Sequence, residues 1–175
     1  SLRPVSTAAT LNMAAVAAQA ARVFRKSDPA FAAQALAAAE KAYTAAQKHP
    51  DKFADPKDNN NGGGDYADDH VEDEFYWAAA ELFITTGDAK YEQAFEANPH
   101  HEAFLHADGS LSLMTWKEVD ALGVISLAVV PSKLGKAQRN EARKRLIAEA
   151  DRYLAHAERE GYGVPFDPGN EDGKP

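Results

Sequence analysis

The stretch from Gly62 to Phe83 reads GGGDYADDHVEDEFYWAAAELF, and it places a block of negative charge directly before an apolar helix. Three glycines come first, and six carboxylates then follow within ten residues: Asp65, Asp68, Asp69, Glu72, Asp73 and Glu74. The apolar residues after them recur at helical spacing, which predicts a helix from about 71 to 86 that Gly87 ends. Any functional assignment must therefore explain why acids are concentrated at this helix start.

Helical patterns also fill the chain on both sides of this segment. Eighteen alanines occur in residues 8–46, and alanine has the highest helix propensity. Asp28-Pro29 divides this region into two helices, because aspartate is a good N-cap and proline is favoured at the first helical position. Further helices are predicted over 88–97, from the capping box Thr115-x-x-Glu118 to 129, and over 136–159, with an irregular segment over 98–113. No segment is patterned as a strand, so the predicted class is all-α with about six helices.

Apolar stripes at three-to-four spacing predict which face of each helix packs inward. In the first helix the predicted core face is Met13, Val16, Ala20, Val23 and Phe24. In the second it is Leu36, Ala39, Tyr43 and Ala46, and in the last it is Leu146, Ala150, Tyr153, Leu154 and Ala157. The many small side chains in the first two helices favour close approach between helices.

Composition excludes several classes of function. The chain has 175 residues, 45% of them hydrophobic, which is enough for one domain with a buried core. Its net charge is −8, and its one basic cluster, 133–145, is typical of a solvated helix face, so a nucleic-acid partner is not expected. With no cysteine, disulfides, zinc–thiolate sites and a thiol nucleophile are excluded. No apolar run is long enough to span a membrane, and no signal peptide is present.

The residues alone leave two interpretations of the acidic block open. A helix N-terminus is stabilised by nearby acids, and Asp69 with Glu72 three residues later has the spacing of a capping pair. Six acids exceed that need, since they also repel one another. Alternatively, Asp69, Asp73 and Glu74 supply charge to a hard cation such as Ca²⁺, which takes six to eight oxygen ligands.

Four segments resemble, in chain order, glycoside hydrolase family 9, the inverting cellulases. They are VSTAATL at 5–11 with the alanine-rich helix after it, DEFYWAAAELFITTG at 73–87, Trp116-x-x-Val119-x-x-Leu122-Gly123, and GYGVPF at 161–166. The resemblance implies that 1–175 is a single, incomplete segment from the middle of the family's catalytic domain. It also implies that the helices form part of an (α/α)₆ barrel.

The resemblance implies a role in cleaving β-1,4-glucan, but no catalytic residue in this chain. Inverting hydrolysis needs a carboxylic acid and a second carboxylate about 6.5–9.5 Å apart. In the family the base comes from an upstream Asp-Ala-Gly-Asp segment and the acid is a downstream glutamate, and neither motif occurs here. His100 and His101 follow a proline but lack the arginine of the family's histidine signature, so they are expected on a loop surface. This chain alone is therefore expected to be inactive.

Family members often bind calcium at the start of the helix that corresponds to 71–86. Carried over by position, the implied ligands are Asp69, Asp73 and Glu74, with Glu118 from a later segment and a possible contribution from the His70 carbonyl. The ion would be structural and would tie the loop before one helix to the start of another. Glu118 has an alternative role in the capping box with Thr115.

Aromatic residues near the acidic block supply the candidate sugar contacts. Tyr66 corresponds to a loop that lines the substrate cleft in the family, and its alternative is a turn tyrosine with its hydroxyl in solvent. Trp77 lies within the predicted helix and is expected in the core. Trp116 fits either the core or the cleft.

The resemblance also sets the expected partners and location. These are a β-glucan oligosaccharide or polysaccharide, and either the remaining part of the catalytic domain or a second copy, because barrel helices are apolar on more than one side. Family members lead to the expectation of a secreted or periplasmic protein. The alternative function is a non-catalytic, calcium-stabilised helical module that binds a carbohydrate or a protein.

Overall fold

The computed structural model describes residues 4–54, 68–103 and 114–165, and all regular secondary structure within these ranges is helical. The seven helices are α1 (Thr7–Phe24), α2 (Pro29–Lys48), α3 (Glu72–Thr86), α4 (Ala89–Glu96), α5 (His100–Ala103), α6 (Asp120–Val129) and α7 (Lys136–Arg159). The all-α prediction is confirmed, and the short α5 lies in a region that was expected to be irregular. Across the described ranges, no helix has the length and apolar character needed to cross a lipid bilayer.

Three helix ends follow directly from the sequence. The Ser6 hydroxyl caps α1, and the Asp28 carboxylate accepts a hydrogen bond of 3.0 Å from the Phe31 N–H at the start of α2. Gly87 ends α3 in the left-handed conformation with φ 67°, which glycine adopts without steric cost. These signals fix where α1 and α2 begin and where α3 stops.

Two predicted caps are wrong. The helix after Thr115 begins only at Asp120, because the Thr115 hydroxyl accepts from the Glu118 N–H at 3.1 Å and the Thr115 N–H donates back to the Glu118 carbonyl at 3.2 Å. These bonds close a turn before the helix. The Asp69–Glu72 capping pair does not form either, since the cap of α3 is Val71 with no side-chain hydrogen bond. Before α3, Asp68 Oδ1 accepts from the His70 N–H and Glu72 Oε2 accepts from the Val71 N–H, so these side chains bond the approach to the helix.

Helix α3 forms the centre of the fold. Helices α1, α2, α4 and α6 pack against it, and α7 packs on α6. It is buried on nearly all sides, through Asp73, Glu74, Tyr76, Trp77, Ala78, Ala79, Ala80, Glu81, Leu82, Phe83 and Ile84. At its crossing with α6, a Cβ on Gly123 would lie 2.8 Å from Tyr76 Cε1 and 3.3 Å from Trp77 Cα. The absence of a side chain at Gly123 therefore allows α6 to approach α3 closely.

The predicted core face of α1 is wrong. The helix buries small residues together with one leucine: Thr7, Leu11, Ala14, Ala15, Ala18 and Ala21. The larger residues of the predicted stripe are exposed instead, with Met13 and Val16 at 48%, Val23 at 72% and Phe24 at 42%. Both stripes have helical spacing, and the alanine stripe is the one that lets α1 approach α2 and α3 closely. A second apolar face of α1 is thus left uncovered by the described residues.

The last helix is largely solvated. Its one fully buried residue is Glu149. Of the predicted stripe, Leu146, Tyr153 and Ala157 are partly buried, whereas Ala150 and Leu154 are exposed, which corrects the prediction for those two. This helix packs mainly on α6, so only part of its apolar surface is covered. For α2 the prediction is better, since Ala39, Tyr43 and Ala46 are buried.

Candidate metal centre

Three carboxylates are buried together at the start of α3. Asp73 and Glu74 lie in its first turn and are 2% and 1% exposed, and Asp68 in the approach to the helix is 6% exposed. The Val119 N–H donates a hydrogen bond of 2.8 Å to Asp73 Oδ2. Because Val119 is the residue before α6, this bond joins the beginning of α3 to the beginning of α6.

The carboxylate of Glu74 is poorly compensated within the described part of the chain, where its own backbone N–H is the favourable contact that lowers its pKa. Both of its oxygens are buried, and neither receives a hydrogen bond there. It lies close enough to Asp73 for the two side chains to share a proton, yet two ionised carboxylates cannot hydrogen-bond to each other. Burial first, and then the neighbouring Asp73 and Asp68, raise the pKa of Glu74 to about 9. A buried carboxylate in this position requires either a proton or a cation.

Asp68 is a member of this cluster that the sequence analysis passed over. Its Oδ1 accepts a hydrogen bond of 3.2 Å from the His70 N–H. Burial nevertheless raises its pKa, and the charge of Asp73 adds to that shift. Adjacent aspartates cannot be distinguished by spacing alone, so no sequence signal separates Asp68 from Asp69.

Asp69 lies at the edge of the cluster. Its side chain is 76% exposed, with Oδ1 3.0 Å from His70 Nδ1 and 4.0 Å from Lys117 Nζ. Potential ligand atoms of Asp68, Asp69 and His70 nevertheless lie within 4.8 Å of one another. Asp68, Asp69 and His70 therefore form a candidate acidic cation site, and the buried acids Asp73 and Glu74 lie near Asp68.

Glu118 is brought to the same site from the approach to α6. Burial raises the pKa of its carboxyl, and the charges of Asp73 and Asp120 add to the shift. Both roles expected for Glu118, calcium ligand and partner of Thr115 in a cap, concern this position. Its backbone closes the turn with Thr115, and its carboxyl remains beside the acids.

A histidine–aspartate pair flanks the cluster. His100 Nδ1 lies 3.1 Å from Asp120 Oδ2, and both side chains are partly buried. This hydrogen bond raises the pKa of His100, and the charges of Asp73 and Glu118 contribute in the same direction. The expected position of His100 on a loop surface is wrong, since its side chain is partly buried, and no sequence signal links it to a residue 20 positions away.

The predicted aromatic contacts divide into three cases. Tyr66 lies outside the described residues. Trp77 is 7% exposed and belongs to the core, as expected. Trp116 is 50% exposed, with Lys117 Nζ 5.4 Å from its ring centroid, so its ring is not a core side chain.

A second buried carboxylate, that of Glu81, differs from Glu74 because its oxygens accept several hydrogen bonds. Its oxygens accept hydrogen bonds from Arg22 Nη2 at 2.5 Å, Gln19 Nε2 at 2.8 Å, Ser126 Oγ at 2.5 Å and Trp77 Nε1 at 3.3 Å. These donors come from α1, α3 and α6. The fold therefore supplies donors to Glu81 but none of its described groups donates to Glu74, which distinguishes a structural acid from a candidate ligand.

Comparison with known proteins relates the chain to a single family. The model of glycosyl hydrolase family 9 matches residues 1–170. A cellulose 1,4-β-cellobiosidase of Acetivibrio thermocellus is 43% identical over 94% of this chain, and endoglucanase C of Cellulomonas fimi is 42% identical over 96%. The chain spans 20% and 15% of the length of these two proteins.

Solved structures show the same relationship. The family 9 endoglucanase J30 superposes with a TM-score of 0.79 and 32% identity, over 93% of this chain and 29% of that one. AaCel9A, in complex with a cellobiose-like isofagomine, superposes with a TM-score of 0.76 and 30% identity, over 94% and 30%. A zinc-binding triple mutant of J30 also matches, with a TM-score of 0.79, 32% identity and coverage of 93% and 29%. The expected fold class, all-α as part of an (α/α)₆ barrel, is confirmed.

Proposed function

The chain belongs to glycosyl hydrolase family 9, and on this premise we propose that it is the middle segment of a catalytic domain that hydrolyses β-1,4-glucan with inversion. The observation that carries the proposal is the family match over residues 1–170, together with relatives named as a cellobiosidase and endoglucanases. We propose that residues 1–175 form a single segment of this catalytic domain. The reaction assigned to the whole protein is attack of water on a β-1,4 bond by single displacement.

The segment is proposed to build the catalytic domain rather than to carry its reacting groups. Its sequence contains neither the Asp-Ala-Gly-Asp of the family's base nor the downstream acid. Glu81 cannot substitute as a general acid, because it is 0% exposed and its oxygens accept from Arg22, Gln19 and Ser126. We therefore expect no hydrolysis by this chain alone.

We propose that the acid cluster holds Ca²⁺. Asp73 and Glu74 would bind it from the buried side, and Asp69 and Glu118 from the outer side, with Asp68 as an additional ligand. The fit is supported by the two Glu74 oxygens, which are buried and receive no hydrogen bond from any described group, and by a donor set made of carboxylate oxygens, which calcium prefers. The ion would supply positive charge to acids that otherwise repel one another.

The role assigned to this ion is structural. Asp73 already accepts the Val119 N–H, so a cation held by Asp73 and its neighbours would tie the approach of α3 to the start of α6. Lys117 Nζ lies 4.0 Å from Asp69 Oδ1, on the exposed side of the cluster. The proposed ion would therefore neutralise Asp68, Asp73 and Glu74, with which no lysine or arginine of the described residues forms an ion pair.

Sugar binding is proposed for aromatic residues beside this site. Tyr66 remains the candidate from the sequence, as a ring that packs on the apolar face of a sugar. Trp116 is added because half of its surface is exposed and its neighbour Lys117 pairs with Asp69. The proposed ligand is a β-glucan chain or oligosaccharide.

The uncovered face of α1 supports a further contact within the same protein. Met13, Val16, Val23 and Phe24 expose large apolar surface, and this chain spans less than a third of its relatives. We propose that other helices of the catalytic domain cover this face, and that self-association covers it when they are absent. A secreted or periplasmic location is proposed from the family alone.

The complete open reading frame tests the proposed function. The whole protein is expected to release cellooligosaccharides from amorphous cellulose, and NMR of the first products should show the α-anomer, since inversion converts a β-linkage to an α-product. The same assay on the 175-residue chain should show no release above a blank. A complete reading frame that lacks both carboxylate motifs and has no activity would contradict this function and favour the non-catalytic module.

A further inference from the structure

A pocket separate from the acid cluster lies where α3, α4, α5, α6 and α7 meet. Its volume is about 130 Å³. One water requires about 10–15 Å³ on this measure, and a cavity of about 150 Å³ in another protein takes up benzene. The pocket is slightly smaller than that benzene-binding cavity, so one six-membered ring is the largest group that it can take.

Three rings form one wall of this pocket. The centroids of Tyr76 and Phe95 are 6.4 Å apart with the rings perpendicular, and the His101 ring lies 5.4 Å from Phe95 and 6.0 Å from Tyr76. Tyr76 and Phe95 are 1% and 0% exposed, so this wall is held rigidly by the core. Edge-to-face packing around an additional ring is the favoured aromatic geometry.

Aliphatic side chains form the opposite wall. Val124 and Leu127 on α6 and Leu134 in the connection to α7 are 2%, 1% and 7% exposed and line the pocket. Ala142 of α7 also lines it, and its small side chain leaves room that a larger residue would fill. These walls favour an apolar ring over a sugar, whose hydroxyls would lose hydrogen bonds to water.

Two sets of polar groups line the pocket. On the aromatic wall, the Tyr76 hydroxyl lies 3.4 Å from His101 Nδ1, so these two groups contact each other. The other set comes from α7 and includes Glu141 and Arg145. Arg145 Nη1 donates to the carbonyl of His101, which joins α5 to α7 beside the pocket. Arg145 Nε lies 3.6 Å from Glu141 Oε1, which is too long for a hydrogen bond. A hydroxyl that lies beside both atoms, off the line that joins them, can accept from the guanidinium and donate to the carboxylate.

The charges at this side select among aromatic ligands. An aromatic carboxylate would gain Arg145 but would face Glu141 at the same place. A neutral hydroxyl satisfies both side chains at once. The overall net charge of −8 also disfavours an anion.

We propose that this pocket binds a neutral monocyclic phenol, with the ring between Phe95 and Leu127 and the hydroxyl between Arg145 and Glu141. This site is independent of the proposed glucan hydrolysis and of the cation site. The packing of the helices does not by itself require a ligand in this pocket.

Fluorine NMR with 4-fluorophenol as the probe tests the proposal on the protein. Saturable binding with a Kd of about 1 mM or tighter is expected, with 4-fluorobenzoate at least about tenfold weaker. Ala142→Leu should abolish saturable binding by filling the pocket, while the matched exposed change Ala150→Leu on the same helix should leave it unchanged. Both variants are checked for native circular dichroism.

A charge variant separates this site from a non-specific apolar surface. Glu141→Gln retains size and hydrogen-bonding capacity, so 4-fluorophenol should bind within about threefold of the wild type, while binding of 4-fluorobenzoate should improve by about tenfold. No saturable binding of 4-fluorophenol by the wild type would overturn the proposal. So would saturable binding that persists in natively folded Ala142→Leu.

Discussion

The Asp73 carboxylate accepts a hydrogen bond of 2.8 Å from the backbone N–H of Val119, 46 residues later in the chain. A buried acid at the start of one helix thus fixes where another helix begins. The same acid lies beside Glu74, whose oxygens receive no hydrogen bond from the described residues. The Asp73–Val119 hydrogen bond and the buried Glu74 carboxylate therefore lie side by side at the start of α3.

The first prediction concerns pH in the absence of divalent cations. The pKa of Glu74 is about 9 in the folded chain, against 4.5 for an ordinary glutamate. Because the folded state retains a proton that the unfolded state releases, stability should be greatest below pH 4.5 as far as this group is concerned and should fall as pH rises towards 9. Chemical denaturation in a chelator at several pH values measures this.

Glu74→Gln is the control for that measurement, because glutamine retains the shape but does not titrate. Its free energy of unfolding should vary less with pH over the same range than that of the wild type. Adding Ca²⁺ should stabilise the wild type more at high pH than at low pH, since the cation competes with the proton. A wild-type stability that rises steadily with pH in the chelator would contradict the assignment.

Glu81→Gln should destabilise the fold. The change removes the charge that Arg22 Nη2 contacts at 2.5 Å and weakens the bonds from Gln19 and Ser126. Breaking a buried ion pair costs about 3–5 kcal/mol, and we expect about 3 kcal/mol because Arg22 is 19% exposed. Urea denaturation checks this, with the exposed substitution Glu158→Gln as the matched control and less than about 0.5 kcal/mol expected there. Equal midpoints for the two variants would show that Glu81 does not join the three helices.

Gly123→Ala tests the close approach of α6 to α3. The added methyl would lie 2.8 Å from Tyr76 Cε1 and 3.3 Å from Trp77 Cα, and the backbone atom cannot move aside easily. The clash should outweigh alanine's better helix propensity, for a net loss of about 1–2 kcal/mol. Gly161→Ala is the matched control, since no atom lies within 4 Å of its Cβ position. A stabilised Gly123→Ala variant would mean that the helices are further apart than described.

The exposed face of α1 should make the 175-residue chain associate. Val16 and Val23 are 48% and 72% exposed beside Met13 and Phe24, and contiguous apolar surface of this kind promotes association. Sedimentation velocity is expected to show species larger than a monomer, and Val16→Lys with Val23→Lys should shift them towards monomer. Ala30→Lys, at an exposed position of α2, should have no such effect. A wild-type chain that remains monomeric at high concentration would argue against an interface here.

Local signals predicted most helices, while their packing required the structure. Periodicity and caps located α1, α2 and α7, but α1 carries two apolar stripes, and only contact with α2 and α3 selects the alanine stripe. Larger residues such as Val23 and Phe24 have the stronger hydrophobic signal and are nevertheless exposed. Sequence periodicity reports that a face is apolar, not which neighbour covers it.

The candidate site was partly accessible from sequence. The acidic block alone suggests Asp73 and Glu74 as cation ligands and the family resemblance implies the same pair, and both acids are buried in one cluster. Asp68 was missed because adjacent aspartates differ only in which way the backbone turns them. The His100–Asp120 contact was missed because it joins residues 20 apart that have no motif.

Calcium titration by isothermal calorimetry tests the central claim, that buried carboxylates at the start of α3 form a cation site joining it to α6. The wild type should give a saturable heat with one ion per chain, and Asp73→Ala should weaken binding by at least about tenfold, or 1.4 kcal/mol. Asp151→Ala, which removes an exposed acid from α7, should bind as the wild type does. Equal heats for wild type and Asp73→Ala, or no saturable heat in either, would contradict the account.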